Sequence, residues 1–397
     1  MTLPLADLVV ILPELLVVGM ACLLLILDPI TPAPKKDLLA WMSLGVVVVC
    51  SVVTMSGFGG RVMAFSDLVV VDSYAVFWKM LLYLVSGLTI LLSMGYLKEE
   101  KIQLAEYYAF VLLALTGMMV MVSGADLLTI YLGIELMSIT LYIMAGFKRF
   151  EARSIESSAK YFVLGAFSSG ILLYGISIVF GLAGSTRLVE IAAVVNGRGI
   201  DDPLVVIALM LLIVGFGFKV AAVPFHMWTP DVYEGAPTSV TAFMAVASKA
   251  ASFAAFLRVL LEAFGGIKPN WNLLILAICL ITVALGNLVA IVQTNVKRML
   301  AYSSIAHAGY ALIGVVVAGW VGIDAAVSAQ GMSSLMLYLA IYSFMTIGAF
   351  AMVAILRKGG LEGEEIEDFT GLAKRHKGWL GVAFGKNSNS RSMFSCR

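Results

Sequence analysis

The chain has 397 residues, 61% of them hydrophobic and 13% charged, with a mean hydropathy of +1.00. Soluble domains hold about 45–50% apolar and about 25% charged residues, so both deviations point to a membrane protein. A formal net charge of +1 with no basic stripe excludes a general polyanion-binding role and nucleic acid as a partner.

Runs of roughly 20 apolar residues recur along the chain, each long enough to cross about 30 Å of hydrocarbon at 1.5 Å per residue. They are continuously apolar and do not alternate, which favours helices over a barrel. Eleven spans are predicted: 8–27, 38–56, 72–96, 106–123, 126–147, 157–183, 203–222, 237–264, 272–294, 298–319 and 329–356. The first has no basic segment before it and no A-x-A site after it, so it reads as a retained helix and not a cleaved signal peptide. Polar or Gly/Pro-rich breaks separate the spans, among them DPITPAPKKD, MSGFGGRV, YLKEEKIQ, KRFEARSIE, AGSTRLVEIAAVVNGRGIDDP and TNVKR. Loops on one side carry eleven Lys and Arg residues (35, 36, 98, 101, 148, 149, 153, 297, 298, 357 and 358) against four on the other (61, 187, 198 and 268). The positive-inside rule then puts the N-terminus outside the cell. From residue 359 the character changes to a polar tail, 359–397, whose end GKNSNSRSMFSCR has the composition of a disordered segment.

Cys22, Cys50, Cys279 and Cys396 form no CxxC pair, and three lie inside apolar spans as small buried hydrophobes. With three histidines and no Cys/His cluster, neither a metal nor a haem site is expected.

Chemistry is therefore sought in the charges inside the spans, each of which costs at least about 2.5–3.5 kcal/mol near the bilayer centre. Glu135 lies near mid-depth in the fifth span with no Lys or Arg within a helical turn. Lys219 ends the seventh span in GFGFKVAAVPFHMW. Pro224 there removes a backbone donor and clashes with the carbonyl four residues back, while Gly215 and Gly217 loosen the preceding turn. A discontinuous helix is predicted, with free carbonyls at the break that would hold a lysine charge or a proton-bearing water. Lys249, among Ala and Ser in the middle of the eighth span, cannot snorkel to an interface. Lys160 is nearer the cytoplasmic end of the sixth span, where snorkelling competes with function. His226 and His307 are possible relay groups that titrate near neutrality, with simple buried hydrogen bonding as the rival account. Asp231 and Glu234 fall in the stretch after the break; Glu14, Lys79 and Arg258 lie inside spans, the last two within reach of the interfaces. A desolvated lysine holds its proton less tightly, and a nearby carboxylate restores the grip. One acid and three bases, Glu135, Lys160, Lys219 and Lys249, thus make a switchable proton relay in the membrane. No nucleophile–base pair, phosphate loop or redox centre is recognised.

The block GFGFKVAAVPFHMWTPDVYEGAPTSVTAFMAVASKAASFA, with the GIEL around Glu135, resembles the antiporter-like membrane subunits of respiratory complex I, the NADH–quinone oxidoreductase. The resemblance runs from about residue 5 to about residue 376. It implies an all-α polytopic fold of fourteen helices with two inverted five-helix repeats, each containing one broken helix. On that plan residues 1–105 form an N-terminal three-helix segment, 106–265 the first repeat and 266–358 an incomplete second repeat. The family's charged axis falls on Glu135, Lys160, Lys219 and Lys249, with Glu135 as the acid paired with Lys219 and Lys249 as the central relay. The resemblance implies proton translocation with no cofactor on this chain; NADH, FMN, iron–sulfur clusters and quinone belong to partner subunits. The implied partners are other membrane subunits of complex I, the lipid bilayer and, indirectly, the quinone pool, in a bacterial inner membrane. Two alternatives stay open: a Na⁺/H⁺ antiporter or membrane-bound hydrogenase subunit of the same superfamily, or a truncated fragment that does not pump. The last arises because family chains continue with a broken twelfth helix carrying another lysine, whereas this one reads KGWLGVAFGKNSNSRSMFSCR. The expectation is a frameshift near 376–378 or a truncated gene model, which translation of the downstream DNA in the other frames would test.

Overall fold

The computed structural model describes residues 5–32, 36–57, 59–100, 102, 104–320, 325–356 and 364–370. The apolar runs are helical because a backbone in hydrocarbon must satisfy its own N–H and C=O groups. A short helix, α1 (Leu5–Val10), leads past a break at Ile11 into α2 (Leu12–Leu27). Then α3 (Lys36–Met55) and α4 (Ser73–Glu99) flank an antiparallel hairpin of β1 (Val62–Ala64) and β2 (Val69–Val71). The chain continues through α5 (Glu106–Ser123), α6 (Leu127–Ala145), α7 (Ala152–Ala183), a short α8 (Leu188–Arg198) and α9 (Pro203–Val220). After α9 the path breaks and restarts as α10 (Trp228–Gly235). Next α11 (Thr238–Phe243) passes through one π turn (Met244–Ser248) into α12 (Lys249–Glu262), so these form one continuous span. Finally come α13 (Lys268–Ile291), α14 (Val296–Ala318) and α15 (Ala325–Leu356).

Among the described residues ten helices are long and apolar enough to cross a bilayer, and α2 is a shorter apolar helix. Each predicted span coincides with one of these eleven, apart from shifts of a few residues at the ends. The α11–α12 span is buried on every side, whereas only 22% of α13 is covered by the rest of the chain. The span carrying Lys249 is thus the central post of the bundle. The polar-tail expectation lies, apart from 364–370, outside the described residues.

Two elements were not foreseen. The loop expected between the sixth and seventh spans contains α8, which buries Leu188, Ile191 and Val195 at helical spacing. The hairpin β1–β2 is three residues per strand, too short for alternation to announce it.

Helix starts are set by side-chain caps. Asp72, Asp126 and Asn295 each accept a hydrogen bond from the backbone N–H three residues on, satisfying an orphan donor of α4, α6 and α14 respectively. The last two caps belong to a wider correspondence. Asp126 also bridges Arg187, and Asn295 bridges Glu365. A Cβ on Gly117 would meet Met137 N at 2.5 Å, and one on Gly286 would meet Ala306 N at 2.6 Å, so each helix pair touches backbone to backbone. The residues in each comparison, Asp126 and Asn295, Gly117 and Gly286, Met137 and Ala306, are separated by the same interval along the chain. The α5–α6 pair therefore recurs as α13–α14. By that interval Glu135 corresponds to Ser304, and Ser138 to His307.

Candidate functional site

The break after α9 lies where Pro224 predicted it, but its chemistry differs from expectation. Ala221 closes the helix at a φ of 60°, a left-handed position that costs a residue with a Cβ roughly 1 kcal/mol or more. Its N–H and that of Ala222 turn back onto Phe218 O and Gly217 O, and the Trp228 indole also donates to Phe218 O at 3.0 Å. Two of the carbonyls at the break, those of Gly217 and Phe218, are thus already capped. Nor do the glycines loosen the helix, which is regular through both. A Cβ on Gly215 would meet Leu172 at 2.6 Å, and one on Gly217 would meet the Phe225 ring at 2.8 Å. They are small because other residues occupy the space.

Lys219 sits in the last turn of α9, buried, and sends its ammonium across to α6, where it donates to Ser138 Oγ at 2.7 Å. The Ser138 hydroxyl in turn donates to Ile134 O at 2.6 Å. Glu135 is three residues from Ser138 and therefore on the same face of α6. Its Oε1 is buried with no hydrogen-bond partner. The direct Glu135–Lys219 pair implied by the family resemblance is replaced here by a lysine held on the intervening serine. The reason is geometric: the serine hydroxyl is the nearer acceptor and its own proton is occupied by the backbone.

Lys249 opens α12 immediately after the π turn, which re-aims the following side chain. It is 1% exposed, and its ammonium donates to Ser304 O at 2.7 Å and to Ser304 Oγ at 2.5 Å, both on α14. Ser304 Oγ also shares a 2.8 Å hydrogen bond with Tyr342 OH. Ser304 stands where the recurring helix pair places Glu135 in its first copy, so at that position the second pair offers Lys249 of α12 a neutral acceptor. His307, one turn on, is half-buried, with Nδ1 2.5 Å from Tyr338 OH.

Lys160 is not part of this buried array. Its side chain is 44% exposed and pairs with Glu156 at 2.8 Å and Asp231 at 2.9 Å. Arg298, in the first turn of α14, joins the same group through Asp231 and Glu234, both at 2.9 Å. Burial alone would raise the Asp231 carboxyl, but hydrogen bonds from Lys160 and Arg298 outweigh it and hold it below the usual carboxylate range. Lys297 caps the end of α10, donating to Glu234 O at 2.6 Å and Ala236 O at 2.8 Å. His226 lies half-buried in the break, its Nδ1 without a hydrogen-bond partner.

Lys79 and Arg258, expected within reach of the interfaces, each meet carboxylates: a buried one for Lys79, and partly exposed ones at helix ends for Arg258. Lys79 pairs with Glu14 at 2.6 Å, joining α4 to α2. Arg258, 2% exposed at its side chain, pairs with Asp72 at 3.0 Å and Glu262 at 3.0 Å, and its guanidinium lies 4.9 Å from the Tyr74 ring centroid. Asp72 is itself half-buried, which would raise its pKa, but the Arg258 hydrogen bonds hold it down.

Sequence reasoning missed Ser138, Ser304, Tyr342 and Tyr338. Nothing in the sequence separates these hydroxyls from the many others in the spans. Among the described residues no group of three or more His, Cys, Asp or Glu side chains could hold a metal ion. The array therefore offers buried ammonium and hydroxyl groups in hydrogen-bond contact, with the Glu135 carboxylate one turn from Ser138, which is the chemistry of proton transfer.

Comparison with known proteins agrees with that chemistry. Residues 124–384 match the family described as NADH:quinone oxidoreductase/Mrp antiporter, TM. The chain is 47% identical over 366 residues to NADH-quinone oxidoreductase subunit N 2 of Rhizobium meliloti, covering 92% of this chain and 74% of that one. It is 44% identical over 370 residues to subunit N of Trichlorobacter lovleyi, covering 93% and 74%. A chain in the structure of respiratory complex I from Thermus thermophilus superposes with a TM-score of 0.70 at 30% identity, covering 92% of this chain and 75% of its own. The Mrp complex of a Dietzia species shares the fold, with a TM-score of 0.76 at 19% identity. This chain belongs to the NADH:quinone oxidoreductase/Mrp antiporter transmembrane family, among the subunit N members of NADH-quinone oxidoreductase.

Proposed function

We propose that this chain is a proton-translocating membrane subunit of NADH-quinone oxidoreductase and that its protons pass along Glu135, Lys219 and Lys249. The observation that carries the residue assignment is the pair of buried lysines, each donating to a serine hydroxyl on a neighbouring helix instead of forming a closed ion pair. A lysine held by a neutral acceptor in low dielectric binds its proton weakly and can release it, whereas a tight carboxylate pair would fix it. Glu135, with a buried unpartnered oxygen one turn from Ser138, is the group whose approach or retreat switches Lys219. Lys160, in the exposed ion network with Asp231 and Arg298, serves the mouth of the path and not its interior. His226 and His307 stay possible relay groups, His307 through Tyr338.

The positive-inside bias places the Lys160 end in the cytoplasm and the N-terminus in the periplasm of a bacterial inner membrane. Other membrane subunits of the complex are the partners. NADH, FMN, iron–sulfur clusters and quinone are assigned to those partners, whose electron transfer drives the movement. The wording of the residues around Lys219 and the subunit N relatives favour this reading over a Na⁺/H⁺ exchanger.

The test is proton movement into inverted membrane vesicles carrying the assembled complex, started by NADH. Lys219→Ala and Glu135→Ala are expected to lower it with the chain still in the membrane. Unaltered pumping in either variant would sink the role given to that residue.

A further inference from the structure

Among the described residues Lys249 has acceptors from one residue only, Ser304, and the question is what lies on the far side of that serine. Two tyrosines do. Tyr342 of α15 shares the 2.8 Å hydrogen bond with Ser304 Oγ. Tyr233 of α10 is fully buried, and its hydroxyl has no hydrogen-bond partner. Its helix packs against α14, which carries Ser304, and its ring meets Phe350 of α15, about two turns from Tyr342. A buried hydroxyl without a partner is costly to keep, so its retention calls for a reason. Its ring is fixed edge-on against Trp228 at 6.1 Å and Phe350 at 6.4 Å between centroids.

The helix that carries Tyr233 is two-sided. Asp231 and Glu234 meet Lys160 and Arg298 in the cytoplasmic ion network. Tyr233, between them in sequence, points into the bundle. Arg298 and Ser304 are on the same helix, roughly 9 Å apart along its axis at 1.5 Å per residue. One tyrosine ring spans most of that interval. The short amphipathic helix α10 thus places a hydroxyl between the charged mouth and the Lys249–Ser304 contact.

We propose that Tyr233 and Tyr342 are proton carriers of this path, Tyr233 handing protons from the cytoplasmic ion network to Ser304 and Lys249, and Tyr342 holding the onward hydroxyl. The inference rests on Lys249 being a relay. In the transfer, a proton arrives on a lone pair of the Tyr233 oxygen and the phenol's own proton leaves to Ser304 Oγ. The serine's proton then leaves to the neutral Lys249 amine, which becomes the ammonium. Rotation of the hydroxyls resets the chain; one proton has moved and nothing is oxidised or reduced. Tyr342, already bonded to Ser304, takes the same role when Lys249 discharges.

The experiment uses the assembled complex in inverted membrane vesicles, with NADH-driven acidification and the amount of this chain in the membrane both measured. Tyr233→Phe and Tyr342→Phe keep the rings and remove the hydroxyls. Each is expected to lower acidification to the level of Lys249→Ala at unchanged membrane content. Tyr233→His, whose ring carries a proton, is expected to recover part of it. Full pumping by Tyr233→Phe beside a failing Lys249→Ala overturns the inference and leaves the relay reading intact. Full pumping by Lys249→Ala as well overturns both. Should Tyr233→Phe be lost from the membrane, Tyr233→His decides: an assembled His variant that pumps no better than Lys249→Ala overturns the inference.

Discussion

Ser138→Ala removes the atom that holds the Lys219 ammonium in its resting place. The bond is 2.7 Å long, buried, and charged at one end. Hydrogen bonds of that kind contribute about 1.5–3 kcal/mol, which is a factor of about 10 to 150 in an equilibrium between two lysine positions. The competing position is near at hand: Glu135 precedes Ser138 by three residues on the same face, with Oε1 buried and unpartnered. Without the serine hydroxyl the lysine moves toward that carboxylate by up to the same factor. A closed pair in low dielectric keeps its proton, so onward transfer slows. The assay is the initial rate of NADH-driven acidification of inverted vesicles by the assembled complex, with Ser138→Thr as the variant that keeps a hydroxyl. Ser138→Ala is expected to be about tenfold slower or worse in the part of the pumping that Lys219→Ala abolishes, and Ser138→Thr to stay near the parent. A parental rate in Ser138→Ala beside failure in Glu135→Ala would refute the reasoning, since Ser138 would then be packing alone.

Two further outcomes follow from the ion pairs. Glu14→Gln or Lys79→Met strands one charge in a contact that is almost fully buried, and each is expected to destabilise the chain by about 3–5 kcal/mol. Changing both to apolar residues should come close to neutral, read as the thermal unfolding midpoint in detergent; single variants as stable as the parent would contradict a buried pair. Arg298→Gln removes one of the hydrogen bonds that hold the Asp231 carboxyl down, so its pKa should rise. A depressed carboxylate supports the network above its unfolded pKa and lets go as pH falls through the folded value. Letting go should therefore begin at higher pH in Arg298→Gln, seen as an upward shift of the acid limb of the pumping profile, and an unmoved limb would count against it.

How much of this was legible in the sequence depends on the range of the interaction. The spans were readable because twenty apolar residues leave few alternatives, and the starts of α4, α6 and α14 because Asp72, Asp126 and Asn295 act on residues three positions away. The break after Lys219 was readable from Pro224. Its capping was not, since it depends on Ala221 taking a left-handed turn and on Trp228 folding back onto Phe218 O. The ion pair of Lys160 with Glu156 has helical spacing and could have been read as a sign of a solvated face. The partner Glu262 of Arg258 has the same helical spacing, but Asp72, 186 residues from Arg258, and Glu14, the partner of Lys79, come from far along the chain, and no local pattern announces them. The serines that receive Lys219 and Lys249 are hidden for the same reason. One serine among many becomes an acceptor only when the helices are packed.

The account's central claim is that the buried lysines move protons while electrons move elsewhere. The direct measurement is the number of protons translocated per NADH oxidised by the assembled complex carrying Lys249→Ala, with NADH oxidation and vesicle acidification followed together. The account predicts a lower ratio with the chain still assembled in the membrane. An unchanged ratio in that variant would contradict it.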